Sequence, residues 1–180
     1  IGKVLDKTDV YREDVLRSIV TTKNMPNFGY LGYKANENKY TYARPTEDKI
    51  SQLFMNMREL ADYIVIDCVS DRSDLISSLA KAEADVIVQV VTPTLKCMSY
   101  YAANGDQFIA FADKVVKVIN IKDNDIYLPV GEVKEHFKDV EIKIPYSHSL
   151  KQQSITGTLS EHITDKVFCD NISRLAKVVS

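Results

Sequence analysis

Apolar positions along this chain change period several times, and each change marks an element. Over residues 9–20, Val10, Val15, Leu16, Ile19 and Val20 form a helical stripe. The acids Asp9, Glu13 and Asp14 near its start suit the positive end of a helix dipole. Residues 21–27 close on Met25, Pro26 and Asn27 and read as a loop, and 28–33, with Gly29 and Gly32 set among aromatics, reads as a strand. After a loop at 36–39, Pro45, Thr46, Glu47 and Asp48 announce a helix. Its apolar face is Ile50, Leu53, Phe54, Met57 and Leu60, and it should end near Ala61.

Two later runs lack polar alternation. Tyr63, Ile64, Val65 and Ile66 lead to Asp67, and residues 85–91 lead to Thr92 and Pro93. Such runs fit strands covered on both faces, as in a parallel α/β sheet, and a carboxylate at a strand's carboxyl end stands where such sheets bind ligands. With a polar loop at 70–73 and a helix through about Lys81 between them, the two predict a right-handed βαβ unit. Residues 94–111 are mostly helical in pattern, 114–120 predict a strand ending at Asn120, and 131–138 a short helix. The alternation over 140–145 suits an exposed edge strand. Residues 160–179 put Ile163, Val167, Ile172, Leu175 and Val179 on one helical face, with Ser160 as the cap. No internal repeat interrupts this order.

Composition narrows the reading. A chain of 180 residues supports one domain with a core, and six glycines with five prolines leave little room for low-complexity linkers. A formal net charge of -2 removes any overall attraction to nucleic acid, so none is indicated as a partner. Cys68, Cys97 and Cys169 are odd in number and lack ligand spacing, which argues against a disulfide framework or zinc site and makes the cytoplasm the expected compartment. No stretch reaches the roughly 20 apolar residues of a membrane span, and residues 1–6 do not resemble a signal peptide. Because the sequence opens on Ile1, a processed, cleaved or truncated product is expected.

Four motifs, in order, carry a resemblance: Ala61 and Asp62 with the strand ending at Asp67; residues 82–93; Val118, Ile119 and Asn120; and Ile144, Pro145 and Tyr146. They resemble the Walker B strand, the following helix-strand unit, the base-recognition strand and the Ile-Pro-Tyr/Asp turn of the ParA/MinD family of P-loop ATPases, nearest its CpaE/TadZ-type localisation proteins. The resemblance implies a three-layer α/β/α fold with a mainly parallel central sheet, and a role in positioning or partitioning a protein complex or DNA. It also implies ATP and Mg2+ as cofactors, a protein partner and, for the parent protein, a nucleotide-bridged homodimer. Asp67 would hold a magnesium-bound water, Asn120 would read an adenine edge, and Pro145 and Tyr146 would pack beside the base.

The family's first strand, Walker A loop and first helix have no counterpart here, and Lys3 lacks the GxxxxGK[ST] spacing that wraps amides around phosphates. ATP binding and hydrolysis therefore depend on a P-loop outside this sequence. The chain alone is expected to be inactive, with no catalytic residue named. Cys68, Val69 and Ser70 stand where the family continues with a small residue, Pro or Thr, and Gly, so a non-catalytic scaffold that keeps the fold is the alternative.

Each candidate has a plainer reading. Asp67 would cap the next loop, Asn120 would take a left-handed turn, and Pro145 and Tyr146 would be turn and core residues. Cys68, with no histidine at dyad spacing, reads as a small core filler rather than a nucleophile. The tyrosines at 30, 33, 40 and 42 are either a partner surface or ordinary packing. The last helix reads as packed on the sheet rather than on a membrane, since Asp165 and Asp170 oppose anionic lipid.

Overall fold

A computed structural model describes residues 1–122, 130–137, 140 and 142–180. It is a mixed α/β structure whose chain divides into two compact units, Ile1–Glu83 and Ala84–Ser180.

The first unit contains helices α1 (Gly2–Leu5) and α2 (Arg12–Ser18), a hairpin of β1 (Val20–Thr22) and β2 (Met25–Tyr30), and helices α3 (Glu47–Arg58) and α4 (Leu75–Glu83). The α3 helix follows its sequence signals closely. Thr46 caps it by accepting a hydrogen bond from the Lys49 amide, Glu47 and Asp48 sit in its first turn, and Ile50, Leu53 and Phe54 are buried. They meet Val4, Leu5, Val10, Val15 and Ala80 in one apolar cluster. Two polar side chains of α3 fix the chain entering α2: Gln52 Oε1 accepts from the Val10 amide at 3.0 Å, and Asn56 Nδ2 donates to the Val10 carbonyl at 2.7 Å.

Residues 63–67, expected as a buried strand, take no part in a sheet. Tyr63 is 76% exposed and Val65 94%. β-Branched composition supplies no ladder by itself, and the paired strands of this unit are those of the hairpin. Among the described residues, 63–67 form no strand, and β3 of the second unit pairs with β4. What anchors the end of the segment is the Val69 amide, which donates to the buried Ser77 hydroxyl of α4 at 3.1 Å.

The hairpin corrects a second expectation. Residues 21–27 are not a loop: β1 and β2 pair antiparallel, with Thr21 opposite Gly29 and a register shift before Thr22. Pro26 is tolerated because the strand is an edge, where a missing N–H breaks no ladder. Gly29 allows the two strands to close, since a Cβ there would run into the Ile19 side chain.

The second unit holds a three-stranded parallel sheet, β3 (Ile87–Val91), β4 (Val115–Asn120) and β5 (Ile142–Ile144), in the order β3-β4-β5. Between β3 and β4 lie α5 (Leu95–Asn104) and a 3-10 segment, Gly105–Lys114, that departs from helical angles at Phe111, so the expected helix over 94–111 is two pieces. Helix α6 (Val130–Phe137) precedes β5, and α7 (His148–Thr156) and α8 (Lys166–Val179) follow it. Lys138 and Glu141, within the expected helix and edge strand, lie outside the described residues.

Strand alternation gives the sheet two different faces. Val91 and Ile119 on one face pack with Ile121, Val133 and Phe137, joined by Cys97, Met98 and Tyr101. Val118, Ile142 and Ile144 on the other pack with Phe168 and Leu175 of α8. The last helix thus packs on the sheet, but through Phe168 and Leu175; of the expected stripe, Val167 and Ile172 are exposed. It starts later than expected, because Asp165 rather than Ser160 supplies the cap by accepting from the Phe168 amide at 3.0 Å. Gly157, at φ 72°, ends α7 in the left-handed region that side chains avoid.

Candidate functional site

Parallel pairing of β4 and β5 puts their carboxyl ends on one edge, with Asn120 in register with Ile144. The Ile121 amide donates to the Ile144 carbonyl at 2.9 Å, carrying the ladder one step beyond β4. Pro145 and Tyr146 therefore leave the sheet beside Asn120. An open cleft of about 420 Å³ lies there, lined by Asn120, Lys122, Pro145, Tyr146, Ser147 and Lys151, with Phe168 contributing from α8. Its volume is within the range of small-molecule sites, and its place is the strand-end crevice where open α/β sheets bind ligands.

Asn120 is half-buried and ends a strand in ordinary extended geometry; among non-glycine described residues only Asn36 has positive φ. The left-handed turn reading of Asn120 is thereby excluded. Its side-chain amide has no hydrogen-bond partner among the described residues, so its two N–H donors and its oxygen acceptor are unused by the fold of this cleft residue. Tyr146 also packs on the apolar cluster beneath the sheet, so its reading as a core residue holds alongside its place in the cleft wall.

Ser147 is buried and caps α7, its hydroxyl accepting from the Leu150 amide at 3.3 Å and lying 3.2 Å from the Ser149 hydroxyl. The cleft therefore meets the amino-terminal, electropositive end of a nine-residue helix. Lys122 and Lys151 add two ammonium groups, neither in a salt bridge with a described carboxylate. Asp165 stands behind this wall; hydrogen bonds from the Phe168 amide, then from the Ser147 hydroxyl, hold its carboxyl below the usual range. Among the described residues lining the cleft, Lys122 and Lys151 carry positive charge, and the Asp165 carboxylate behind them is committed to a cap.

Three of the four residues singled out from sequence, Asn120, Pro145 and Tyr146, thus come together on one cleft of the second unit. Asp67 belongs to the first unit, where it lies in the segment 63–67 that forms no strand. No described group of three or more His, Cys, Asp or Glu side chains gathers around a metal-sized site. Asp67 is a single exposed carboxylate, and a magnesium ion beside it would take its other oxygen ligands from phosphate and water. Cys68 packs against the first unit's core, and burial pushes its thiol up, away from the reactive thiolate, as its reading as a filler requires.

Lys122, Ser147 and Lys151 were not singled out from sequence. Ser147 has the chemistry of a helix cap, but the helix it starts buries no residue to mark it in the sequence, and the lysines carry no pattern that marks them among the 23 basic residues. No helix among the described residues is long and apolar enough to cross a membrane. Neither a family model, a curated protein nor a solved structure matches this chain.

Proposed function

We propose that the cleft is the base-binding part of an adenine-nucleotide site, and that the chain is part of a ParA/MinD-like ATPase concerned with intracellular positioning or partitioning. One observation carries this reading: residues separated by more than a dozen sequence positions, selected because they resemble that family's base-recognition motifs, line one cleft with the Asn120 amide open to it. Helices on both faces of a parallel sheet support the three-layer architecture the family implies.

The chemistry required of these residues is recognition. Asn120 would offer its acceptor to the exocyclic amine of adenine and its N–H to a ring nitrogen. Pro145 and Tyr146 would supply apolar surface for the base, and Lys122 and Lys151 a positive rim for a charged ligand. Guanine presents a carbonyl where adenine presents the amine, so the acceptor would face an acceptor. Bound ATP would supply the transferable phosphoryl group, and this reading requires a phosphate cradle that no motif of this sequence provides. No step is assigned to magnesium or to Asp67.

The test is a titration of the full-length protein with a fluorescent adenine nucleotide, competed by unlabelled ATP and GTP. Saturable binding displaced by ATP in preference to GTP is the expected result. No binding, or equal displacement by both, refutes the base-site reading and leaves the scaffold as the better account of the fold.

A further inference from the structure

The hairpin of the first unit has features its fold does not use. Val20 lies opposite Tyr30, and Phe28 shares Tyr30's face two residues earlier. These three side chains are 63%, 51% and 43% exposed for Val20, Tyr30 and Phe28, with the two rings edge-to-face at 4.6 Å between centroids. Among the described residues, β1 and β2 pair only with each other, so each has an unpaired outer edge. From Arg17 to Asn36 the sequence holds three bases, Arg17, Lys23 and Lys34, and no acid, in a chain whose net charge is -2. None of the three bases is in a salt bridge with a described residue.

We propose that this hairpin docks an acidic, extended peptide segment of a partner protein, which adds as a strand along β2. The occupant follows from charge and geometry. An open strand edge presents amides and carbonyls that an extended chain satisfies, and alternate side chains of the added strand lie over the face bearing Phe28 and Tyr30. Lys23 precedes β2 and Lys34 follows it, so carboxylates near both ends of the peptide meet the bases. Pro26 lacks an N–H, which confines the pairing to residues 27–30. The same bases repel one another across a pairing of two copies, which disfavours the chain itself as occupant.

The experiment uses the full-length protein and a fluorescent peptide of about ten residues, with glutamates at both ends and valines at alternate positions between. Anisotropy should report saturable binding that weakens as salt is raised. The Lys23→Glu, Lys34→Glu double variant should bind about tenfold more weakly, and Phe28→Ser or Tyr30→Ser should show a similar loss. All four positions are exposed, so unchanged circular dichroism is expected for every variant. A peptide with lysines at its ends, or with a proline at its centre, should not bind. Failure of the acidic peptide to bind, or equal binding of the lysine peptide, overturns the proposal. So does single-stranded oligothymidine binding that the same variants abolish, which assigns the surface to nucleic acid. A concentration-dependent dimer lost in Tyr30→Ser overturns it in favour of a second copy.

Discussion

Replacing Asn120 by alanine separates a ligand-reading amide from a structural one. In the ligand-free protein its side chain has no described hydrogen-bond partner, so truncation leaves no described donor or acceptor stranded and should change stability little. With adenine seated, the amide would make two hydrogen bonds. At about 0.5 to 1.5 kcal/mol each, their loss costs about 1 to 3 kcal/mol, or roughly 5-fold to 150-fold in Kd. Asn120→Asp sharpens the test: the carboxylate still accepts from the exocyclic amine but opposes the ring nitrogen, so binding should fall at least as far. The assay is equilibrium titration of wild type and both variants with a fluorescent adenine nucleotide, with thermal melts alongside. Kd values within about twofold of wild type would refute the reasoning, as would equal losses for ATP and GTP.

The other predictions concern the scaffold and its titrating groups. Leu53→Ala empties a fully buried position in the first unit's core and should cost about 2 to 5 kcal/mol in denaturant unfolding; a smaller loss would show that the cluster is not packed as described. The Asp165 carboxyl is held low by capping α8, so its contribution is present above the ordinary carboxylate pKa of 3.8 and is lost as pH falls through its depressed folded value. Amides of α8 should then exchange faster in acid, and Asp165→Ala should remove that acid dependence. The Tyr42 hydroxyl donates to Glu37 at 2.7 Å, which pushes the phenol up to about 12 and the carboxyl down. Its contribution is present below the ordinary phenol pKa of 10.0 and is lost as pH rises through 12. Burial also raises Tyr33, so ultraviolet titration should find more than one high-titrating tyrosine, and Glu37→Gln should return the highest toward 10.

Elements that carry their own local signals were legible in the sequence. Helix α3 has Pro45 and Thr46 at its start and an apolar face that needs no distant partner to be recognised. Strands β4 and β5 lie near their expected limits because a short β-branched run, broken in β4 only by Lys117, and the alternation in β5 both suit a strand. The segment 63–67 looks the same on paper, but a strand also needs a neighbour, and pairing is not written in a run of β-branched residues. The hairpin is illegible for the opposite reason: Pro26 reads as a stop, although an edge strand accepts it.

The cleft divides in the same way. Asn120, Pro145 and Tyr146 stood out because they end strands, where polar and turn residues punctuate apolar runs. Lys122 and Lys151 come from a loop and from the second turn of α7, and only the folding of α7 against the strand ends brings them to the same rim. Serine favours cap positions, which makes Ser160 the expected cap of α8, yet Asp165 stands where the amides of the first turn are unpaired.

The central claim is tested most directly by photolabelling the full-length protein with an azido-adenine analogue of ATP and mapping the modified peptides by mass spectrometry. The account predicts label on peptides containing Asn120 or the stretch from Pro145 to Lys151, suppressed by excess ATP and much less by GTP. Label that ATP displaces from any other region, with none at this cleft, would contradict it.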